Sequence, residues 1–126
     1  MRLAELEACF GRYESRGPET WDTTTGPQTG MREYFVRVAS LDEAQGVQFL
    51  CPKCFARNGG SVGTHWCEVS FEGRGVAELQ GSHGAGGEPT RWCVSGTGLA
   101  DLSTQPSIQI VGGCGWHGFI TSGDAS

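Results

Sequence analysis

Two short cysteine-containing segments constrain this chain more than any other feature of its sequence. The first is C-P-K-C at 51–54, and the second is C-G-W-H at 114–117. Each places two soft ligands three positions apart, a spacing at which one tight turn points both side chains at a single ion. Three thiolates and one imidazole form a complete tetrahedral shell for zinc. We therefore predict one zinc site, formed by Cys51, Cys54, Cys114 and His117.

The number of predicted ligands favours a structural role for this zinc ion over a catalytic one. A catalytic zinc usually keeps three protein ligands and leaves one position open for water. Four soft ligands close the shell, and three thiolates donate too much charge for a strongly acidic bound water. The alternative is that the two segments are unrelated and that their cysteines are small core residues or reactive thiols.

The composition predicts a single domain, residues 1–126, with many turns and a thin hydrophobic core. Gly accounts for 21 of the 126 residues, and only 37% of the residues are hydrophobic. A metal ion would add the stability that such a core lacks. No apolar run is long enough for a membrane span or an export signal, which makes a membrane partner unexpected. The six cysteines have metal-site spacings, so we expect a reducing cytoplasm and not a disulfide framework.

The net charge of −5 argues against general affinity for nucleic acid, because that affinity needs clustered Lys and Arg. A nucleic-acid-binding zinc ribbon is still an open alternative if folding gathers the scattered arginines on one face. The arginines that would form this face are Arg32, Arg37, Arg57, Arg74 and Arg91.

Hydrophobic periodicity divides the chain into three parts. Residues 1–16 are predicted as a helix, because Leu3, Leu6, Phe10 and Tyr13 recur at helical spacing. Residues 17–30 are rich in Gly, Pro and Thr and are predicted as a loop. Residues 31–124 are predicted as a zinc-stabilised β domain of short strands separated by Gly turns.

These elements predict a mainly β (α+β) fold. We expect a small β-sheet domain with an N-terminal helix and a zinc-ribbon-like pair of metal-binding turns. The Gly-rich segment 73–89 is expected to be a surface excursion.

Other candidate site residues carry weaker signals. His65 and Cys67 share one face of a predicted strand and, together with Cys93, could form a second site, although a core Cys and a hydrogen-bonded His explain them more simply. A zinc-dependent hydrolase is a further alternative. It would need a three-ligand zinc with a water, lined by His65, Asp101 or Glu68.

The C-terminal third resembles a family of small proteins from tailed phages and prophages. The resemblance rests on C-G-W-H-G-F at 114–119, on S-G-T-G-L at 95–99 followed by P-S-I at 106–108, and on F-L-C-P at 49–52. It extends over residues 33–124 and implies a β-rich zinc-binding domain. Members are often labelled ammonia monooxygenase, but that enzyme is embedded in a membrane and no span exists here.

From the zinc site and the resemblance we expect a small phage-encoded accessory protein that binds a host or phage protein. Inhibition of a host defence enzyme is one such role. The chain would then act in the host bacterial cytoplasm. The absence of a recognisable catalytic motif supports a binding role, so no catalytic residue is predicted.

Overall fold

The computed structural model describes all residues 1–126, and the chain is mainly β, with 44% strand and 13% helix. The predicted fold class is therefore confirmed. None of the helices is long and apolar enough to cross a membrane. The strands are β1 (Cys9–Thr23), β2 (Gly26–Arg37), β3 (Gly46–Leu50), β4 (Trp66–Ser70), β5 (Cys93–Ser95), β6 (Ser103–Gln105), β7 (Ile108–Gln109), β8 (His117–Gly118), β9 (Ile120–Thr121) and β10 (Asp124–Ala125).

The helical elements are short. One α-helix, α1, spans Pro52–Asn58, and three 3-10 helices span Leu3–Leu6, Leu41–Glu43 and Leu99–Asp101. Because α1 follows directly on β3, the first pair of cysteines lies at the end of that strand, with Cys51 at the junction and Cys54 in α1.

The main sheet has four antiparallel strands in the order β2-β1-β3-β4. The remaining strands form three two-stranded sheets, β5-β6, β7-β8 and β9-β10. Only Cys9–Gly11 of β1 pairs with β3, whereas β1 pairs with β2 from Gly11 to Thr23. Residues 12–36 therefore form a two-stranded extension, the hairpin arm, in which no residue is buried.

The N-terminal region departs from the sequence prediction. The helix predicted over 1–16 is reduced to the single 3-10 turn Leu3–Leu6, which ends where Glu7 adopts a left-handed backbone conformation. Residues 17–30, predicted as a loop, belong to the β1–β2 hairpin. The apolar spacing of Leu3, Leu6 and Phe10 fits one helical stripe, but Cys9 and Phe10 pair with β3 and the residues from Gly11 onward pair with β2. Pairing between distant segments outweighs a helical pattern this short.

Gly11 shows why this segment is a strand. It lies opposite Arg37, and the ring of Phe35 occupies the space that a Cβ at position 11 would need. Further along, Gly17 and Pro18 form an irregularity in the register between Arg16 and Glu19. Gly17 and Pro18, which lie at the start of the predicted loop, are thus accommodated as a bulge within paired strands.

The hydrophobic core lies between the base of the main sheet and the C-terminal strands. A cluster of 19 buried residues includes Leu3, Leu6, Phe49, Leu102 and Ile120. The chain termini close this core, since the amino group of Met1 donates to the Ala125 carbonyl at 2.9 Å. The core therefore holds the first and last residues near the strands that support the candidate site.

Candidate metal centre

Four side chains converge at one end of the main sheet. The ligand atoms of Cys51, Cys54, His65 and Cys114 all lie within 4.8 Å of one another. The Cys51 and Cys114 sulfurs are 3.6 Å apart, and Nε2 of His65 is 3.3 Å from the Cys114 sulfur. The two cysteines from α1 and its N-cap are buried, and the other two residues are half-buried. This arrangement is compatible with a bound metal ion.

The strand-to-helix junction positions Cys51 and Cys54. β3 ends at Leu50, Cys51 is the N-cap of α1, and Pro52 occupies the first helical turn, where its missing N–H costs nothing. The Cys51 carbonyl accepts the first intrahelical bond from the Phe55 amide at 2.8 Å. One turn of helix therefore brings the Cys54 thiol beside the Cys51 thiol, as the C-x-x-C spacing predicts.

His65 reaches the site through strand register. Leu50 pairs with Trp66, and the Cys51 amide donates to the His65 carbonyl at 2.9 Å. Cys51 and His65 are therefore direct neighbours across two antiparallel strands, and their side chains share a face. The His65 Nδ1 lies 3.2 Å from the Trp66 carbonyl oxygen, so Nδ1 can carry the ring proton when Nε2 binds a metal ion.

Cys114 lies at the turn of the β7–β8 hairpin. The Ile110 amide donates to the Trp116 carbonyl at 2.8 Å, which closes the hairpin around the turn. Gly115 has a φ of 65° in the left-handed region, a conformation that costs glycine little. Nζ of Lys53 donates to the Cys114 carbonyl at 2.8 Å, so α1 is bound directly to this turn.

His117, predicted as the fourth ligand, lies outside the cluster. Its Nε2 is 3.0 Å from the Ser107 hydroxyl oxygen, and the residue is exposed on β8. The preceding Trp116 is buried and packs edge-on against Phe49, with ring centroids 6.0 Å apart. Side chains alternate along an extended strand, so the inward orientation of Trp116 turns His117 outward. The place beside the three thiols that the sequence assigned to His117 is taken by His65.

The other weak candidates separate in the structure. His65 joins the main cluster, and Cys67, two residues further along β4, is buried close to it. Burial, with a smaller contribution from Cys51, raises the pKa of Cys67 and keeps it a neutral thiol. Cys93 is exposed and donates its thiol proton to the Glu72 carboxylate at 2.9 Å. Sequence reasoning named His65 as a candidate, but no spacing signal could link it to Cys51.

The surroundings of the cluster shift the pKa values of its thiols in opposite directions. The hydrogen bond from His65, followed by the Trp116 amide, lowers the pKa of Cys114 to about 6. Burial, followed by hydrogen bonding with Cys114 and Cys51, raises the pKa of Cys54 to about 11. One thiolate is therefore favoured before a cation binds, and the neighbouring thiol needs the cation to release its proton.

A guanidinium group also contacts the cluster. Nη2 of Arg57 donates to the Cys54 sulfur at 3.4 Å from the following turn of α1. This positive charge offsets the excess negative charge that three thiolates would place around a divalent cation. Asp101 and Glu68, the carboxylates named for a hydrolase, are not members of the cluster. The Asp101 carboxylate accepts hydrogen bonds from Thr97 and Gly98.

No protein-family model matches the chain, and no curated protein or solved structure shows significant similarity to it. The resemblance to phage proteins therefore stays a prediction.

Proposed function

We propose that Cys51, Cys54, His65 and Cys114 hold one structural zinc ion, and that the protein acts by binding another protein. The observation that carries the first part is the ligand geometry. Zn–S bonds of about 2.3 Å and Zn–N bonds of about 2.0 Å give tetrahedral edges of about 3.8 Å between sulfurs and about 3.6 Å between sulfur and nitrogen. The observed separations of 3.6 Å and 3.3 Å are close to those edges.

The donor set favours zinc in a structural role. Thiolates and imidazole are soft ligands, which zinc prefers and which magnesium and calcium do not. Four side chains complete the tetrahedral shell, so no position is left for a reacting water. The site also joins three distant parts of the chain, namely the β3–α1 junction, the start of β4 and the β7–β8 turn. A metal bound there would stabilise the folded state, because the three parts of the chain come together only when the protein is folded.

The hairpin arm supports the second part of the proposal. It packs on no core of its own, yet one of its faces carries ordered aromatic and arginine side chains. The Arg32 guanidinium lies 5.0 Å from the ring centroid of Trp21, and that of Arg16 lies 4.7 Å from the ring centroid of Tyr34. Trp, Tyr and Arg are the residue types that contribute most to the binding energy of protein interfaces. An arm of this kind is suited to contact a partner protein.

Two of the five arginines that a nucleic-acid interface would need have other roles. Arg74 donates to the carbonyls of Leu41 and Ala44, and Arg91 donates to three carbonyls of the Gly-rich segment and to that of Thr90. These guanidinium groups stabilise loops and are not free to neutralise phosphates. The acidic net charge points the same way. The partner in this proposal is a protein of the host bacterium or of a phage, as the phage resemblance implies.

Two measurements test the proposal separately. Native mass spectrometry of protein purified without added metal should show one zinc ion per chain, and a mass equal to the bare polypeptide would contradict the metal assignment. For the binding role, the protein and a Trp21→Ala, Tyr34→Ala variant are used as matched baits in a bacterial lysate. We expect a partner that the wild-type protein retains and the variant loses. Equal retention by both baits would rule out the hairpin arm as the contact surface.

A further inference from the structure

A groove lies between the Gly-rich segment and the strand β7. Its volume is about 700 Å³, within the range of ligand-binding clefts. One wall is the consecutive run 106–111, which includes β7, and the other is formed by residues 82–85 and 88–91 of the Gly-rich segment. A strand that faced a groove with its side chains would contribute every second residue. Residues 106–111 line the groove without a break, and the Ser107 carbonyl, which accepts from the indole of the lining residue Trp92, shows that the main-chain edge at β7 faces it.

The hydrogen-bond pattern shows which groups this edge offers. Ile110 donates to the Trp116 carbonyl at 2.8 Å, so these two residues form a hydrogen-bonded pair of the β7–β8 ladder. Gln109 belongs to the next pair, opposite His117. Because hydrogen-bonded and non-hydrogen-bonded pairs alternate in antiparallel ladders, the N–H and C=O of Gln109 point away from β8 and toward the groove.

The free edge of β4 contributes to the same groove. His65 and Phe71, the residues that flank β4, both form main-chain hydrogen bonds toward the β3 side. The Cys51 amide donates to the His65 carbonyl at 2.9 Å, and the Phe71 amide donates to the Gln45 carbonyl at 2.8 Å. Main-chain groups of successive residues in a strand point alternately to its two sides. Glu68 is three residues from both His65 and Phe71, so its N–H and C=O point away from β3. Its carbonyl accepts a bond from the Ser82 hydroxyl at 2.9 Å, and its N–H faces the groove.

The walls of the groove are held in place. Nε1 of Trp92 donates to the Ser107 carbonyl at 3.3 Å and so ties the inner end of the Gly-rich segment to the β7 side. Arg91 donates to the carbonyls of Ser82, Thr90, Ala77 and Gln80, and both ring nitrogens of His83 lie within 3.0 Å of loop carbonyls. The segment that the sequence marked as a surface excursion is thus an ordered wall, and the groove exists without a ligand.

The charges of the groove select among possible occupants. The groove is lined by two carboxylates, Glu68 and Glu88, and by one guanidinium, Arg91, whose N–H groups donate to loop carbonyls. One oxygen of Glu68 accepts from Nε2 of Gln48 at 2.8 Å, which leaves its second oxygen for a basic side chain. Accessible apolar surface comes from Ile110 and Val111, because Trp92 and Ile108 are buried in the core. An occupant that satisfies main-chain edges, carboxylates and apolar walls together is an extended peptide in which apolar residues alternate with Lys or Arg.

We propose that this groove binds an extended, basic peptide segment of a partner protein by strand addition to β7. The peptide main chain pairs with the N–H and C=O of Gln109, its apolar side chains contact Ile110 and Val111, and its basic side chains pair with Glu68 and Glu88. This inference rests on the proposed protein-binding function and names the partner's contacting segment. Strand β7 is two residues long, so the paired part of the peptide is a short linear motif, and the flanking residues 106–107 and 110–111 supply the further contacts.

A displayed library of random seven-residue peptides provides the probe. We expect selection on the zinc-loaded protein to enrich sequences that alternate apolar and basic residues. A peptide from that pool should perturb the NMR amide signals of Glu68, Gln109 and their neighbours. No enrichment, enrichment of acidic or uncharged sequences, or perturbation confined to the hairpin arm would overturn the proposal.

Two changes then test the mechanism of binding. N-methylation of peptide amides removes main-chain donors without changing the protein or the peptide side chains. Two peptides are compared, one methylated at the odd-numbered amides and one at the even-numbered amides. Binding should be abolished in only one of them, because only every second amide of an added strand faces β7. The Glu68→Gln, Glu88→Gln variant should bind the basic peptide about tenfold more weakly, whereas Glu43→Gln, on an exposed 3-10 turn, should not change binding. Full affinity of both N-methylated peptides would refute strand addition.

The outcome also separates this inference from the broader function. Capture of a lysate partner is measured with saturating peptide present and, separately, with the Glu68→Gln, Glu88→Gln variant as bait. Undiminished capture in both experiments would leave the protein-binding role intact and refute the groove as its site. Loss of the partner both with saturating peptide and with the Glu68→Gln, Glu88→Gln variant would support the groove as the binding site.

Discussion

Cys51 and His65 are direct cross-strand neighbours: the Cys51 amide donates to the His65 carbonyl at 2.9 Å, and both side chains turn toward the Cys114 thiol. This relationship, created by the register of β3 and β4, completes the candidate metal centre. The main-chain bond fixes the two residues before any ion binds, so the site is largely pre-formed on a rigid sheet edge.

The two histidines make opposite predictions about metal affinity. We expect His65→Ala to weaken zinc binding by more than about 100-fold, because a ligand is lost and second-shell changes alone cost up to that amount. His117→Ala should leave zinc affinity unchanged, since His117 contacts Ser107 and not the thiols. Competition with a chromophoric chelator measures both affinities. The reverse ranking of the two variants would show that the site uses His117.

Removal of the metal should destabilise the fold. At a free zinc concentration about 1,000 times Kd, binding contributes about 4 kcal/mol to the free energy of unfolding, which for a chain of this size corresponds to a Tm decrease of about 10–20 °C on chelation. Differential scanning calorimetry with and without a chelator measures this change. The Cys114→Ser variant serves as the control, because its Tm should hardly respond to the chelator. An unchanged wild-type Tm would contradict a structural role for the metal.

Trp116 should influence the metal centre without being a ligand. Its buried ring packs on Phe49 and orients the turn that carries Cys114. We expect Trp116→Ala to lower the free energy of unfolding by about 3–5 kcal/mol, the usual cost of removing a buried aromatic ring, and to weaken zinc binding as well. Phe119→Ala, at a half-exposed position of the same C-terminal region, should change both quantities little. Urea denaturation and zinc titration provide the readouts, and equal effects of the two variants would refute the orienting role.

The Asp101 carboxylate should make stability depend on pH at the acidic end. Backbone hydrogen bonds from Thr97 and Gly98 lower its pKa below the usual value of 3.8. A carboxyl whose pKa is lowered by folding stabilises the protein above its unfolded pKa, and that contribution is lost as the pH falls through the lower folded value. Asp101→Asn should therefore destabilise the protein at pH 7 and have a diminishing effect as the pH approaches 2.

The control for this effect is Asp42→Asn, which removes an exposed carboxylate on the 3-10 turn Leu41–Glu43. Its unfolding curves should follow those of the wild type from pH 7 downward. A pH-independent cost of Asp101→Asn would mean that the charge of the carboxylate does not matter.

The local features of the sequence were sufficient for the mainly β fold class and for three of the proposed ligands. The C-x-x-C spacing at 51–54 works within one helical turn, and Gly turns between short apolar runs indicate strands wherever they occur. Such signals are readable because their physical causes span only a few residues.

Tertiary structure alone decided the identity of the histidine, the hairpin arm and the groove. His65 meets Cys51 only through strand register, and the segment 17–30 becomes strand only because β2 supplies its hydrogen-bond partners. His117 turns away because Trp116 is needed in the core. Pairing between distant segments depends on the free energy of the whole fold, so neither periodicity nor spacing along the chain could reveal it.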